Sequence, residues 1–418
     1  MRAVSHNAVL GTLFLTAFLD LVGFGIVIPL MAPLLLAADS PLFSGDVSTE
    51  TRTIAYGLLL AAYPAAQFFG APILGALADR HGRKPVLLAS LTGTCVGYAL
   101  SAVAIGIGSL PLLFASRLLD GFTGGNISVA QSAIADISAP EEKTRNFGLI
   151  GMAFGLGFIL GPFLGGLFAD PTIHPTFTTA TPFWVAALLS LLTVFSIIFL
   201  LPETLRDRVR SPLSWLTGVR NIQSAFRLPH LRAIFVVAFI LALGFTFFTQ
   251  FFQVLLVDRF AFTERQIGLM FAYVGLWIAI VQGGVTRPAS RIATPTQIVR
   301  VSTLLLGIAL PLLLLPTQYP ALLVILPLIA LAQGLTHPNI LAIVSNLSGS
   351  ESQGEALGIM QSLNSAAMAI PPVIAGFLAA LDPQLPIIVA SLCTFAGWAL
   401  FVFLFRTPPT KREVFHEM

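Results

Sequence analysis

Long runs of apolar residues, separated by short polar segments, follow one another along almost the whole chain. A hydrocarbon core roughly 30 Å thick needs about 20 helical residues at roughly 1.5 Å each, and about a dozen runs reach that length. Backbone groups in lipid must be hydrogen-bonded within the spanning structure, so these runs predict helices. The predicted spans are Ala8–Leu36, Ile54–Ala78, Val86–Ile107, Leu110–Ser138, Arg145–Ala169, Pro182–Leu201, Leu231–Val257, Gln266–Thr286, Ile298–Leu315, Ala321–Asn346, Ala356–Ala380 and Pro386–Phe405.

The composition indicates an all-α, polytopic membrane protein. Hydrophobic residues make up 56% of the 418 positions and charged residues only 10%, which is too apolar for a soluble globular chain. The first apolar run is too long for the core of a signal peptide and has no convincing cleavage site, so we interpret it as the first span. Cys95 and Cys393 lie inside apolar runs, which argues against a disulfide framework or a metal site.

The positive charges predict the orientation. Twelve spans place both termini on one side, and a cytoplasmic N-terminus leaves only Arg52, Arg259 and Arg265 outside. The pI of about 9.1 therefore reflects membrane topology and not nucleic-acid binding. The basic residues predicted inside are Arg2, the Arg80–Lys84 cluster, Lys143, Arg145, the run from Arg206 to Arg232, Arg287, Arg291, Arg300, Arg406, Lys411 and Arg412.

A basic, proline-containing segment divides the chain. We predict a six-span bundle at 1–201, a cytoplasmic linker at 202–230 and a second six-span bundle at 231–418. Trp215 and Phe226 stand among arginines, which is typical of an amphipathic segment on the inner leaflet. A substrate gate is the alternative interpretation of the linker.

The two halves repeat a pattern of small residues and one arginine. Four positions recur at an offset of 210 and two at an offset of 211, which indicates a duplicated six-helix unit with a midplane site between the copies. The copy of the first basic loop, which starts at Gly283, keeps arginines but has lost the acid, so we expect a weaker or one-sided latch there. The pairs are Gly124 and Gly334, Gly148 and Gly358, Pro162 and Pro372, Gly166 and Gly376, Gly57 and Gly268, and Arg80 and Arg291.

The segment Gly75–Leu88 concentrates charge between two apolar runs. Such a cluster cannot lie in hydrocarbon, so we predict a short, sharply turned loop at the membrane surface. Its spacing resembles the loop between helices 2 and 3 of the major facilitator superfamily, which implies a gating role. The positions that carry the resemblance are Gly75, Asp79, Arg80, Gly82, Arg83 and Lys84.

Asp20 lies near the middle of the first span, in FLDLVGFGIVIPL. A carboxylate at mid-bilayer costs about 2.5–3.5 kcal/mol on insertion scales, so we expect it to face a cavity, a partner or a proton. The alternative is an aspartate that only joins helices. Gly23, Gly25 and Pro29 loosen the backbone just beyond it, as expected of a helix that bends.

The fourth span carries a second pair of charges, Arg117 and Asp120. At a spacing of i and i+3 they can form a local pair. Alternatively, Arg117 is shared between Asp120 and Asp20, so that protonation of a carboxylate frees the arginine and shifts a helix contact. Arg117, Gly121, Gly124, Ser128 and Gln131 share one helical face suited to a wet cavity.

The fifth span is rich in small residues, and Pro162 permits a kink. Generic close packing explains much of this pattern. The motif also resembles the antiporter signature of drug exporters in the major facilitator superfamily, which implies export by exchange. Its positions are Gly157, Gly161, Pro162, Gly165 and Gly166.

Together these segments resemble the twelve-span, proton-coupled drug exporters, particularly the tetracycline-exporter branch. The resemblance implies two pseudo-symmetric six-helix bundles, a monomer, and a proton gradient in place of any cofactor. The short loops and the small number of lysines favour a bacterial inner membrane. Tetracycline exporters also carry carboxylates in the third and ninth spans, where this chain has Gly97–Tyr98 and Gly307–Ile308. That departure leaves the proton role to Asp20 and Asp120 and weakens the case for metal–tetracycline recognition.

Polar residues within apolar spans are the candidates for binding substrate, because pockets are mostly apolar with a few orienting groups. We expect about half of them to touch an amphipathic cargo. His337 can titrate near neutrality, although an ordinary cavity histidine is the simpler interpretation. The candidates are Gln67, Asn126, Gln131, Gln250, Gln253, Gln282, His337, Asn339, Gln361 and Asn364.

The sequence contains no Walker loop, no Gly-x-Ser-x-Gly and no metal-ligand spacing, so we expect a transporter and not an enzyme. The leading hypothesis is a proton-coupled antiporter that exports a hydrophobic or amphipathic compound. Two alternatives stay open: an exporter or uniporter of a metabolite or lipid, and a receptor-like membrane protein without flux.

Overall fold

The computed structural model describes residues 6–138, 143–205 and 215–405, and within these ranges the chain is almost entirely helical, without strands. The helices are α1 (His6–Val27), α2 (Met31–Leu36), α3 (Thr49–His81), α4 (Arg83–Gly106), α5 (Leu110–Thr123), α6 (Asn126–Ile137), α7 (Lys143–Phe168), α8 (Thr181–Leu200), α9 (Thr217–Arg227), α10 (Pro229–Phe260), α11 (Glu264–Ile280), α12 (Thr286–Ile292), α13 (Pro295–Leu312), α14 (Leu322–Leu381) and α15 (Leu385–Leu404).

Membrane-spanning segments account for nearly all of these helices. Ten segments of the described chain are long and apolar enough to cross a bilayer, beginning with Ala8–Leu36, the bounds predicted from sequence. The predicted fourth and fifth spans correspond to the α5–α6 pair and to α7, of which Gly155–Phe168 forms a shorter apolar helix. Adding these two to the ten agrees with the predicted twelve.

Three connections differ from the prediction. The first basic loop is a single residue, Gly82, because α3 continues to His81 and α4 begins at Arg83. Its copy in the second half is helical to Ile292, after a π-helical turn at Val281–Val285. Helical backbone also joins the predicted tenth and eleventh spans within α14.

The fourth span is not one continuous helix. It is interrupted after Thr123 and resumes at Asn126, with Gly124 and Gly125 at ψ angles of 8° and 6°. The residues at the break, Thr123 to Asn126, are not apolar, and two consecutive glycines weaken a helix.

The two ends of the helix bundle differ in how the halves meet. We call the end that carries Gly82 and α9 the basic end, and the opposite end, with the 37–48 loop, the distal end. One large apolar cluster contains residues of both halves, including Leu30 and Phe251. Two smaller clusters near the basic end each belong to one half, the first around Leu87 and the second around Phe235. The halves therefore share a core toward the distal end and have separate cores at the basic end.

Two glycine crossings close the distal end. A Cβ on Gly57 of α3 would lie 2.7 Å from the Gly376 Cα of α14, and it would also meet the carbonyl oxygen of Pro372. In the second crossing, Gly268 of α11 lies against Pro162 and Gly166 of α7. Only glycine allows backbones to approach this closely.

The same sequence offsets relate the two crossings. Gly57 and Gly268 are one repeat pair, and Pro162 and Gly166 correspond to Pro372 and Gly376. Three of the six repeat pairs are therefore residues that join the two halves.

Polar contacts reinforce the distal closure. The Tyr56 hydroxyl donates to the Gln250 carbonyl at 2.6 Å, and the Ala32 amide donates to Gln253 Oε1 at 3.4 Å. Arg265 forms an ion pair with Asp170 at 3.1 Å. Hydrogen bonds from Thr172, together with this ion pair, hold the pKa of Asp170 below its usual value. The remaining arginines predicted outside are also bonded here, Arg52 to the Ala38 carbonyl and Arg259 to that of Leu314.

The linker helix α9 contacts both halves. The Trp215 ring, just before α9, lies 5.9 Å from the Phe122 ring of α5, and Gly218 contacts Phe68 of α3. On the other side, Asn221 Nδ2 donates to Ser362 Oγ of α14 at 3.0 Å. The helix thus docks on membrane spans of both halves, in addition to any contact with the leaflet.

Some residues discussed in the sequence analysis lie outside the described residues. They are Arg2, Arg206, Arg208, Arg210, Arg406, Lys411 and Arg412, together with the side chains of Lys143, Arg145, Phe226 and Arg287.

We predict that Gly57→Ala opens the distal end, because the added methyl collides with backbone atoms of α14, and overpacking of this kind costs about 1–3 kcal/mol. The measurement is the rate of maleimide labelling at Ala32→Cys, a buried distal position, in a background without Cys95 and Cys393. Labelling should be faster than in the parent.

Gly155→Ala is the matched control, since a Cβ there meets open space. If both variants label at the parental rate while remaining folded, the glycine crossing does not hold the distal end closed.

Candidate functional site

Asp20 is buried, with 8% of its surface exposed, and faces the broken fourth span. Its Oδ1 accepts a hydrogen bond of 2.8 Å from Asn126 Nδ2. Asn126 is the first residue of α6 and is 1% exposed. The carboxylate at mid-span is therefore held inside the protein by a partner on another helix.

Arg117 and Asp120 form an ion pair within α5. Both are buried, at 5% and 1% exposure, and the Arg117 guanidinium lies 5.7 Å from the Tyr63 ring and 5.5 Å from the Tyr98 ring. Such cation–π contacts stabilise a desolvated cation. In this conformation the arginine has the local partner, and Asp20 bonds to Asn126 instead of sharing Arg117.

Two buried polar atoms of this cluster have no hydrogen-bond partner among the described residues. They are Arg117 Nε and Asn126 Oδ1. A buried polar group without a partner costs about 1–3 kcal/mol, so it indicates a place where water, a proton-carrying group or a ligand is accommodated.

Side chains of neighbouring helices bond the backbone freed by the break in the fourth span. Gln67 Nε2 of α3 donates to the Gly124 carbonyl at 2.8 Å, and Ser90 of α4 donates to the Thr123 carbonyl. Breaks of this type in membrane spans are tolerated where such groups satisfy the backbone. Discontinuous helices also commonly form the central sites of transporters.

Gly97 of the third span packs against Asp120 of the fourth span. A Cβ at Gly97 would lie 2.8 Å from the Asp120 Cβ. The carboxyl group of Asp120, contributed by the fourth span, therefore occupies space beside the third span that a side chain at 97 would enter.

The glycines of the fifth span contact two different helices. Gly157, Gly161 and Gly165 lie against α1, the helix of Asp20, and a Cβ on Gly161 would be 2.6 Å from the Gly25 Cα. Gly166 and the Pro162 carbonyl face α11 of the other half. One helix thus joins the Asp20 helix to the distal crossing.

The residues around Gly82 form a charge network at the basic end. Gly82 has a φ of 109°, which favours glycine. Arg83 Nη1 donates to Asp79 at 2.7 Å and its Nε donates to Asp136 at 2.9 Å, while Glu203 Oε1 accepts from the Arg83 amide at 2.8 Å. Arg83 thereby connects α3, α4 and α6.

The other predicted residues of this loop have different surroundings. Lys84 Nζ donates to the Ile198 carbonyl at 2.9 Å, and Arg80 also has a partner. Gly75 is surrounded by open space.

The substrate candidates fall into separate groups. Gln250 and Gln253 take part in the distal closure, and Asn339 Nδ2 donates to the Leu335 carbonyl of its own helix. Gln67 of α3 bonds the backbone of the broken fourth span, Asn126 begins its second part, and Asn364 is half-buried. The exposed candidates are Gln131, Gln282, His337 and Gln361.

Several residues of the cluster were missed by the sequence reasoning. Tyr63 and Tyr98 are aromatic residues in apolar spans, and nothing in their local pattern distinguishes them from other ring-bearing positions. Asp136 and Glu203 could have been found as acids at the ends of predicted spans, where positive loops need counter-charges.

Comparison with known proteins gives consistent matches over most of the chain. The family profile described as Major Facilitator Superfamily matches residues 13–370 and 234–417. Tetracycline resistance protein, class C, of Escherichia coli is 33% identical over 371 residues, covering 88% of this chain and 89% of that protein. Major facilitator superfamily domain-containing protein 10 of Mus musculus is 29% identical, covering 90% and 88%.

Solved structures agree on the fold. The crystal structure of the human organic anion transporter MFSD10 (TETRAN) has a TM-score of 0.72 at 27% identity, covering 96% of this chain and 100% of that one. A peptide transporter, POT, in complex with alafosfalin has a TM-score of 0.75 at 15% identity, covering 94% of each chain, and supports the fold alone.

We predict that Asp120→Ala lowers thermal stability strongly, because it leaves the buried Arg117 without a counter-charge, a loss of about 3–5 kcal/mol for such pairs. Asp120→Gly should be at least as unstable, and adding Gly97→Asp to it should recover part of the loss, since the Asp120 Cβ that a side chain at 97 would meet at 2.8 Å is then absent. The measurement is the unfolding temperature of purified protein in detergent.

Gly97→Asp alone is the control and should be destabilising, because it collides with Asp120. Additive effects of Asp120→Gly and Gly97→Asp would show that a carboxylate at position 97 does not replace Asp120 beside Arg117.

Proposed function

Because this chain belongs to the major facilitator superfamily, a family of membrane transporters, we propose that it is a proton-coupled antiporter. In this proposal it exports a hydrophobic or amphipathic small molecule by alternating access, as the tetracycline resistance relatives suggest. The observation that carries the proposal is the buried Asp20 carboxyl group, held at mid-span against a discontinuous helix.

We propose that the protein lies in a bacterial inner membrane with its basic end facing the cytoplasm. The distal closure and the separate basic-end cores then correspond to a conformation closed to the outside. Cargo would enter between the halves from the cytoplasm. The segments 1–201 and 231–418 would act as the moving units, joined by the linker 202–230.

Proton binding and distal opening are coupled in the proposed cycle. A proton from outside neutralises Asp20 and changes its bonding to the fourth span. Because α7 packs on α1 through Gly161 and on α11 through Gly166, a shift of α1 reaches the distal crossing. The proton gradient supplies the energy, no cofactor takes part, and the transporter acts as a monomer in lipid.

In this proposal the cargo binds in the space between the halves. The exposed polar side chains Gln131, His337 and Gln361 are the first candidates, because exposed polar groups on membrane spans favour water-filled cavities over lipid. Gln67 and Asn126 would act through the backbone and carboxyl groups that they bond.

Transport of an organic anion is the second candidate. MFSD10, named as an organic anion transporter, matches almost the whole chain. The buried guanidinium of Arg117, with Nε unpartnered, is a donor that an anionic group could use. A thermal-shift screen of purified protein against cationic, neutral and anionic amphiphiles at two pH values distinguishes the candidates. Stabilisation by anions alone would favour this second function.

We predict that Asp20→Asn abolishes proton-driven export and keeps substrate binding, because the carboxamide preserves the shape of the side chain but cannot exchange a proton. Export from vesicles with an imposed proton gradient measures the loss, and counterflow without a gradient measures what remains.

Asp39→Asn, at an exposed distal position, is the matched control and should transport normally. Gradient-driven export that survives in Asp20→Asn would reject the proton role of this carboxyl group.

A further inference from the structure

The hydrogen bonding between Asp20 and Asn126 is half complete. The carboxamide of Asn126 donates through Nδ2 to Asp20 Oδ1 at 2.8 Å. Its own oxygen, Oδ1, is buried and has no partner among the described residues. A carboxamide and a carboxylate can form one hydrogen bond, since a carboxylate only accepts.

Protonation of Asp20 changes which hydrogen bonds it can form with Asn126. A carboxylic acid has one O–H donor in addition to its acceptor oxygen, so an acid and a carboxamide can form two reciprocal hydrogen bonds. The O–H of a protonated Asp20 needs an acceptor in a site closed to lipid and largely closed to water. The unpartnered oxygen of Asn126 belongs to the group that Asp20 already contacts.

We propose that Asn126 is the second half of the proton site: its carboxamide oxygen accepts the O–H of protonated Asp20, while its Nδ2 continues to donate to the other carboxyl oxygen. The proton arrives from water, an O–H bond forms at Asp20 Oδ2, and deprotonation returns the proton to water. The inference rests on the proposed function, since it assigns a partner to the proton-binding carboxyl group.

Among the described residues, Asn126 is hydrogen-bonded to Asp20, whereas the other charged and titratable groups nearby have no hydrogen bond to its carboxyl group. On α5, Asp120 interacts electrostatically with Asp20 but is bonded to Arg117, a group that has only donors. Tyr63 of α3 and Tyr98 of α4 interact electrostatically with Asp20 and flank Arg117. The apolar part of α7 from Gly155 onward and the whole of α8 carry no titratable side chain.

Because of its position in the chain, Asn126 connects protonation of Asp20 to the backbone at the start of α6. It is the first residue of α6, directly after the Gly124–Gly125 interruption. A second hydrogen bond to Asp20 therefore restrains the start of α6 relative to α1 in the protonated state only. Asn126 is thus a positioning residue for the break, besides being a proton-site partner.

Infrared difference spectroscopy of the purified full-length protein, between acidic and alkaline buffer, tests the inference. The acid-minus-alkaline spectrum should contain the C=O band of a hydrogen-bonded carboxylic acid that disappears in Asp20→Asn. In Asn126→Leu the same band should shift to higher wavenumber, because the acid O–H has lost its acceptor.

Asn339→Leu is the matched control, since Asn339 is another buried asparagine, and its Nδ2 donates to the Leu335 carbonyl of its own helix. It should leave the band unchanged. If Asn126→Leu does not accumulate, Asn126→Ser serves instead, because one short hydroxyl cannot make both bonds, and an upward shift is again expected.

The role of Asn126 and the proton role of Asp20 are overturned by different results. An Asp20-dependent band at the same wavenumber in the parent, Asn126→Leu and Asn126→Ser overturns the role of Asn126 and leaves the proton site at Asp20 intact. A spectrum without any Asp20-dependent band overturns the proton role itself, and with it this inference.

Discussion

The close approach of backbones at two glycine crossings holds the halves of this transporter together at one end. Gly57 meets Gly376, and Gly268 meets Gly166, at distances that exclude any side chain. In a membrane the hydrophobic effect does not drive helices together, so van der Waals contact between small residues supplies much of the association. The described residues that the halves share as an apolar core lie toward this distal end, whereas each half has its own core at the basic end.

Duplication accounts for the use of the same contact twice. Each crossing joins a helix of one half to a helix of the other. The pseudo-symmetry of the fold therefore generates the crossing twice, with the roles of the two halves exchanged. The polar contacts of the closure are less symmetric: Arg265 pairs with Asp170, whereas Tyr56 bonds a backbone carbonyl. Polar contacts that can be broken, around rigid glycine crossings, suit a closure that opens in the proposed cycle.

The charged cluster of the first half is balanced within the protein. Arg117 has both a counter-ion and two aromatic faces, so its charge is compensated locally. Asp20 has one neutral partner, and it is the acid of the cluster without a cationic one. The proposed function therefore assigns the proton to Asp20, while the Arg117–Asp120 pair organises the helices around it.

The sequence by itself predicted the helical, membrane-spanning architecture, the place of the basic segment between the second and third spans, and the mid-span carboxyl group, because hydropathy, charge and the cost of burying an acid are local properties. It also identified the small residues of the repeat. Only the tertiary structure decided that Gly57 and Gly376 touch, that Asp20 bonds Asn126 and not Arg117, and that the fourth span breaks at Gly124. These outcomes depend on which faces of distant helices meet, and helix packing between residues more than 100 positions apart is not encoded in any local pattern.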